Sequence, residues 1–187
     1  MFANVINSYD SHLLHAFFDK FTTSDVNYTK ILNSSTINIV GNDLLSHYFI
    51  ATLLLSPDKV IRLTDTNIKQ RSDSREVELI SEFELNFTKL YNYSPLTLID
   101  SIKKLHELSL IPPIVTRENL SRTVSTTVMT SRDSFTSDQP PPHAWQLLFP
   151  RAESPSAMCV TGKITFTLNE NRKINKILWD CVECKEL

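Results

Sequence analysis

Glycine is nearly absent from this sequence. Only Gly41 and Gly162 occur among its 187 residues. Loops that cradle phosphate groups need several closely spaced glycines, because the backbone must approach the phosphates closely. The sequence therefore excludes glycine-rich nucleotide loops, both of the Walker type and of the dinucleotide-binding type.

Clustered basic charge is also missing. The chain has 19 basic and 21 acidic residues, a formal net charge of −2, and no long basic run. Proteins that bind nucleic acid without sequence preference neutralise phosphates with grouped lysines and arginines. We therefore expect no nucleic-acid partner.

Long apolar segments do not occur either. The longest, residues 48–55, is far shorter than the roughly 20 residues that a membrane-spanning helix needs. The first residues lack the basic start and apolar core of a secretory signal. We predict no membrane association and an intracellular location, cytoplasmic or nuclear.

Cysteine is limited to Cys159, Cys181 and Cys184, and an odd number does not suit a disulfide framework. The last two form a C-x-x-C pair, but a zinc site would need a fourth ligand at suitable spacing, and a redox site a helix after the motif. A Cys159–Cys181 bridge is sterically open but disfavoured inside a cell. We expect no metal site and no cofactor.

The clearest structural pattern lies near the end of the chain. Apolar residues alternate with Thr and Lys from Val160 to Leu168, which is typical of a strand. Turn-forming residues follow at 169–171, and residues 173–182 resume in β-branched and aromatic side chains. This pattern predicts an antiparallel hairpin. Because its second strand is apolar on both faces, we expect the hairpin to be central and covered on both sides.

The remaining elements follow from the same patterns. Spacing predicts one helix from Val5 to Phe21 and a short second helix, capped by Asp25, that reaches Leu32. Further strands are expected at 36–40, 59–69 and 76–90, and further helices at 44–55 and 96–108. Residues 91–157 form an irregular insertion before the last two strands, and its Ser-, Thr- and Pro-rich part, 116–142, is predicted to be disordered.

Helices thus gather at the start and strands at the end, which favours an α+β fold in a single domain spanning residues 1–187. A curved antiparallel sheet wrapped around the N-terminal helices satisfies the apolar faces. The order resembles the nuclear transport factor 2-like superfamily, the cystatin-like cone shared with ketosteroid isomerases and SnoaL-type cyclases. Five segments carry the resemblance: FF at 17–18 through DV at 25–26, INIVGN at 37–42, the helix at 44–55, DKVIRLTDTNIK at 58–69 and GKITFTLNENRKINKILWD at 162–180.

The resemblance implies a pocket inside the cone, closed by helices and floored by the sheet. Aromatic residues of the expected inner surface are the candidates for its lining, although core packing is the more common role of such residues: Phe17, Tyr48, Phe83, Phe87, Phe166 and Trp179. Isomerases of this type use a tyrosine on the first helix and an aspartate after the first strand. This chain has Phe17 and Phe18 at the first position and Val40 and Gly41 at the second. We therefore expect no isomerase chemistry.

Two functions remain open. The first is a non-catalytic module that binds a protein partner or a small apolar ligand in the cone and dimerises through its sheet. The second is a SnoaL-like or dehydratase-type enzyme acting on a small hydrophobic substrate. Its candidate catalytic residues are His15, Asp19 and His47, with His106 a further candidate by residue type, although a solvated His15–Asp19 pair one helical turn apart would explain the first two.

Overall fold

Pairs of strands alternate with helices along the chain, so the predicted gathering of helices at the start and strands at the end is wrong. The computed structural model describes residues 1–33, 35–70, 75–91, 93–108 and 154–187. Its elements, in chain order, are α1 (Phe2–Asn7), α2 (Ser11–Phe21), β1 (Thr22–Leu32), β2 (Ser35–Val40), α3 (Asn42–Leu55), β3 (Val60–Gln70), β4 (Val77–Lys89), α4 (Pro95–Glu107), β5 (Ser156–Leu168) and β6 (Ile174–Glu186). The α+β class is confirmed. The predicted disorder at 116–142 lies outside the described residues, as does the side chain of His106.

The six strands form one curved, unclosed sheet in the order β2-β1-β6-β5-β4-β3. Neighbouring strands are antiparallel except β1 and β6, which run parallel and pair Tyr28 with Ile177 and Lys30 with Trp179. The hairpin of β5 and β6 lies at the centre of the sheet, as predicted. Its strands hold the sheet together because each has a hydrogen-bonded neighbour on both sides.

The prediction that this hairpin is covered on both faces is wrong. Ile177, Trp179 and Cys181 of β6 are buried on the inner face. Val182, by contrast, is 71% exposed. The helices pack against one side of the sheet only, so the apolar residues of the other side meet no covering layer within the described part of the chain.

The single helix expected from Val5 to Phe21 is two helices. The chain turns between them at Tyr9, whose φ of 56° interrupts helical geometry. Asp10 then starts α2, since its carboxylate accepts hydrogen bonds from the backbone N–H groups of His12 and Leu13. Apolar spacing continues across the break, which is why the periodicity did not reveal it.

The short helix expected after Asp25 is also wrong, because this segment is strand β1. Val26 and Tyr28 are buried on its inner face, while Asp25 and Asn27 are exposed. Asp25 therefore occupies an outer strand position rather than a helix cap. Pairing with β6, far away in the sequence, overrides the local capping signal.

Gly162 is required by close contact between β5 and β6. A Cβ atom there would lie 2.0 Å from the backbone oxygen of Asp180. The pairing register shifts at the same point, between Thr161 and Gly162. This bulge lets the two strands approach each other where the sheet curves, and a larger residue would force the backbones apart.

Aromatic rings fill one end of the cone. The ring of Trp179 lies 5.0 Å from that of Phe83 and 6.1 Å from that of Phe49, and the ring of Phe2 lies 5.2 Å from that of Phe166. We call this group the aromatic cluster, and its members are Phe2, Phe17, Phe49, Phe83, Phe166 and Trp179. All six are buried, so the cluster is a packed core.

No helix within the described residues is long and apolar enough to cross a bilayer.

Candidate ligand-binding site

A cavity of about 320 Å³ occupies the other end of the same strands. Along β4 the aromatic cluster contains Phe83, whereas the cavity begins at Leu85 and continues past the strand to Tyr91. Along β6 the cluster contains Trp179, whereas the cavity is lined by Cys184. The tip of the β1–β2 hairpin and the end of α3 complete the wall. The aromatic cluster thus packs at one end of the cone, and this cavity lies at the other end.

The cavity wall combines apolar surface with ammonium groups. Its apolar residues include Leu32, Ile37, Leu55, Leu85, Phe87 and Val160. Three lysines also line it, Lys30, Lys59 and Lys89, and no aspartate or glutamate is present among its described lining residues. The cavity is consequently positive within a chain whose net charge is −2. We call it the lysine cavity.

The pKa of Lys59 is strongly perturbed by its surroundings. This lysine follows Pro57 and Asp58 and directly precedes β3. Its Nζ donates to the backbone oxygen of Thr52 at 3.3 Å and lies 5.9 Å from the centre of the Phe87 ring. Although the residue as a whole is only half-buried, its ammonium group sits deep among protein atoms. Burial, reinforced by the charge of Lys30, lowers the pKa of Lys59 to about 7.

The neighbouring Asp58 carboxylate offsets little of this lowering of the Lys59 pKa. Asp58 favours the charged form of Lys59, but that effect is the smallest of the three on its pKa. The Asp58 carboxylate instead accepts hydrogen bonds from the backbone N–H of Thr88, at 2.9 Å, and from the Thr88 hydroxyl. The backbone around Lys59 is fixed as well, because the Tyr9 hydroxyl donates to the Lys59 carbonyl oxygen. Within the described part of the chain, Lys59 is thus held at the cavity without a tight ion pair.

Lys30 reaches the cavity by strand alternation. It lies on the inner face of β1, two residues from Tyr28 and two from Leu32, and pairs with Ile37 of β2. Tyr28 is completely buried, and burial together with Tyr48 raises its pKa well above the usual range. The two tyrosine rings lie 5.5 Å apart and separate the lysine cavity from the aromatic cluster.

The six predicted pocket residues fall into three places. Tyr48 and Phe87 line the lysine cavity. Phe83 and Trp179 lie in the aromatic cluster and line neither this cavity nor the groove described next. Phe17 and Phe166 belong to the cluster but also border an open groove of about 290 Å³ beside α1. The structure therefore does not bring all six to one cavity.

None of the three cavity lysines is among the site residues predicted from the sequence. A signal was present at Lys30, since a charged residue interrupts the inner-face series Val26, Tyr28 and Leu32. It could not be interpreted because this segment was assigned to a helix. Lys59 had no local signal, because it lies in the connection before β3.

The alternative catalytic residues come together outside the lysine cavity. The rings of His15 and His47 lie 5.9 Å apart between α2 and α3. His15 Nδ1 lies 2.9 Å from Ser46 Oγ, and its Nε2 lies 3.8 Å from the Asp19 carboxylate. His47 is buried and its Nδ1 lies 2.8 Å from the backbone oxygen of Asp43. None of His15, Asp19 and His47 lines the cavity or the groove.

Lys103 of α4 ties this histidine pair to the outer helix layer. Its Nζ donates to the Asp43 carboxylate at 2.9 Å. That hydrogen bond lowers the pKa of Asp43, and the neighbouring His47 and His15 act in the same direction against partial burial. The arrangement joins α2, α3 and α4 through hydrogen bonds and ion pairs.

The positions used by isomerases are unsuited to acid–base chemistry here. Phe17 and Phe18 are buried hydrocarbon rings, and Phe18 is fully enclosed. Val40 is 60% exposed, and Gly41, at φ 100°, precedes the first turn of α3. Neither position can supply a proton donor or a base to the interior of the cone.

The cysteines are unpaired. Gly162, not Cys159, is opposite Cys181 in the hairpin, and Cys159 is opposite Lys185. Burial raises the pKa of the Cys181 thiol, which keeps it protonated. Within the described ranges no three metal-ligating side chains come together.

Comparison with known proteins supports the fold. Neither a family model nor a curated relative matches the sequence. The solved structure of the Kfla4162 protein from Kribbella flavida is similar over 98% of this chain and 85% of its own, with a TM-score of 0.51 and 6% identity. A protein assigned as a scytalone dehydratase from Novosphingobium aromaticivorans matches over 98% and 80% of the two chains (TM-score 0.49, 7% identity), and one assigned as a SnoaL-like polyketide cyclase from Jannaschia sp. CCS1 over 90% and 72% (TM-score 0.41, 7% identity).

A curved six-stranded sheet, helices on its inner face and a cavity at one end together define an α+β cone. The curved α+β cone that the sequence predicts is confirmed as the fold. Identities below a tenth leave the function to be argued from this chain's own residues.

Proposed function

We propose that this protein is a binding module that holds a small, mostly apolar ligand in the lysine cavity. The observation that carries the proposal is the cavity itself, about 320 Å³ of space within the cone that the aromatic cluster does not fill. Ligand sites in proteins are typically concave, mostly apolar and roughly 300–1,000 Å³ in volume. The lysine cavity falls at the small end of that range.

The placement of the cavity supports a ligand rather than a packing defect. Core voids in proteins are few and small, because each buried void loses dispersion contacts and hydrophobic free energy. Here the opposite end of the same strands is packed with six aromatic rings. Among the described residues no such ring cluster fills the cavity end, which is expected where a ligand occupies the space.

The enzyme alternative lacks comparable support. Proton transfer requires catalytic groups within hydrogen-bond reach of a substrate. His15, Asp19 and His47 line neither the lysine cavity nor the groove beside α1, and His15 and His47 contact Ser46 and Asp43 of the helix layer. We therefore rank ligand binding above dehydratase or cyclase chemistry. The predicted protein partner and the homodimer through the sheet stay predictions.

A cavity-filling substitution tests the proposal. Val160 is buried at the cavity wall, so Val160→Phe places a ring in the space that a ligand would use. We expect this variant to bind the neutral apolar dye Nile red at least about tenfold more weakly than the native chain, since overpacking excludes other groups. Saturable binding is followed by dye fluorescence.

The matched control is Val182→Phe, which adds the same ring to the exposed face of β6. It should leave saturable dye binding unchanged. Thermal melts of both variants establish that the fold is retained. Nile red that binds equally to the native chain and to Val160→Phe, or that does not saturate at all, would remove the basis of the proposed function.

A further inference from the structure

We propose that the ligand of the lysine cavity is an organic carboxylate, with its apolar body against the cavity wall and its carboxylate between Lys59 and Lys30. This inference deepens the proposed function and rests on it. It follows from where the charges of the cavity lie and from the absence of a tightly paired carboxylate among the described residues around them.

The charge of the cavity is of one sign. Its described lining contains three lysines and no carboxylate, in a chain with slightly more acidic than basic residues. Like charges in a partly enclosed, apolar space repel each other and are costly to desolvate. A bound anion reverses both effects, because it supplies the missing opposite charge. A neutral ligand leaves both costs in place.

Lys59 has capacity for such an anion. Its Nζ has three possible donors and makes one hydrogen bond, a long one to the Thr52 carbonyl oxygen, within the described part of the chain. The carboxylate that precedes it, Asp58, is engaged by Thr88. The low pKa of Lys59 is consistent with an ammonium group that lacks a counter-ion.

One common structural reason for an inward lysine, protection of an edge strand, does not apply to Lys30. Inward charges often protect edge strands from pairing with other chains. Lys30, however, lies on β1, which has β2 on one side and β6 on the other. Lysines also bury their stems while the ammonium reaches water, and Lys89, exposed at the end of β4, fits that description. Lys30 and Lys59 therefore carry the inference, and Lys89 does not.

The cavity suits a carboxylate better than a phosphate. Phosphates are commonly held by several backbone N–H groups at a glycine-rich turn, or by the planar fork of arginine. The described cavity wall contains neither glycine nor arginine. Two ammonium groups set among leucine, isoleucine, valine and phenylalanine suit a singly charged head on an apolar body.

Octanoate and octanol, which have the same apolar chain length, test the inference by calorimetry. At about pH 6.5 octanoate is ionised, as aliphatic carboxylates are. We expect the native protein to prefer octanoate over octanol, and Lys59→Met and Lys30→Met each to reduce that preference by about tenfold or more, as for lost charge-assisted hydrogen bonds. Methionine keeps the apolar volume of the replaced stem.

Lys176→Met is the matched control, because Lys176 is exposed on β6 and does not line the cavity. It should leave the preference unchanged. Octanol and Nile red binding without a preference for octanoate would overturn this inference while leaving the proposed function standing. Failure of all three probes would overturn both. Equal preference in Lys59→Met and the native chain, or a preference for octyl phosphate over octanoate, would also refute the carboxylate assignment.

Discussion

The same strands form a packed aromatic cluster at one end of the cone and the wall of a cavity at the other. At one end Phe83 and Trp179 pack at 5.0 Å within the aromatic cluster, and at the other Leu85 and Cys184 border a cavity that contains lysines. The first arrangement contributes stability through buried area and ring packing. The second arrangement lowers stability, because it leaves space unfilled and the Lys59 ammonium group poorly solvated. The proposed ligand site thus lies where the chain departs from the packing rules that its aromatic cluster follows.

The largest change in the free energy of unfolding is expected for a substitution in the aromatic cluster. Trp179 is 4% exposed and contacts Phe2, Phe49 and Phe83, so Trp179→Ala should lower the free energy of unfolding by roughly 3–5 kcal/mol. Urea denaturation measures the loss. Val182→Ala, three residues along β6 on the exposed face, should change it by less than about 0.5 kcal/mol. A stable Trp179→Ala variant would mean that the cluster does not carry the fold.

In the lysine cavity, by contrast, a substitution is expected to raise the free energy of unfolding. Lys59→Met should stabilise the ligand-free protein at pH 7, because it removes an ammonium group whose pKa falls from 10.5 to about 7 on folding. After allowing for solvent screening of a half-buried residue, the gain is on the order of 1–3 kcal/mol.

The pH dependence identifies the cause of that gain. Between pH 7 and 10.5 the unfolded chain binds the Lys59 proton and the folded chain does not, so this lysine makes stability rise with pH. The Lys59 ammonium group destabilises the folded chain fully below about pH 7, and this destabilisation disappears above 10.5, the pKa of the unfolded chain. The advantage of Lys59→Met in urea denaturation should therefore shrink from pH 6.5 toward pH 10. A gain independent of pH would attribute it to packing instead.

The smallest effect is expected for Lys30→Met. Lys30 is half-buried, so its removal should stabilise the protein by less than about 1 kcal/mol. Its charge is one cause of the low pKa of Lys59, so that pKa should move upward in the variant. Titration of the lysine side-chain carbons by NMR follows the shift. A Lys59 pKa that does not move would show that burial alone sets it.

The sequence predicts most of the fold because the decisive patterns are local. Alternation from Val160 to Leu168 and a turn of asparagines specify the central hairpin, and similar alternation specifies β4. Errors arose where a distant partner decides the structure. Asp25 looks like a helix cap until β1 pairs with β6, and the Tyr9 turn is set by contacts such as that of its hydroxyl with Lys59.

The candidate site is less predictable than the fold. Aromatic residues indicate that a cone has an interior, but residue type does not separate Phe87, at the cavity, from Phe83, in the cluster. That separation depends on where along β4 the packing stops. Lys30 and Lys59 meet only when the β1–β2 hairpin and the start of β3 close over the same space. No pattern of residue spacing in the sequence indicates that these two lysines come together.

The parallel pairing of β1 with β6 has a kinetic consequence. Lys30 and its partner Trp179 are 149 positions apart in the chain. Such a contact closes a very long loop, and loops of this kind raise contact order and slow folding. Because β1 lies between β2 and β6, the β1–β2 hairpin meets the rest of the sheet through β6, which is the last element in the chain. We therefore expect the hairpin, whose tip lines the lysine cavity, to join the sheet late in folding.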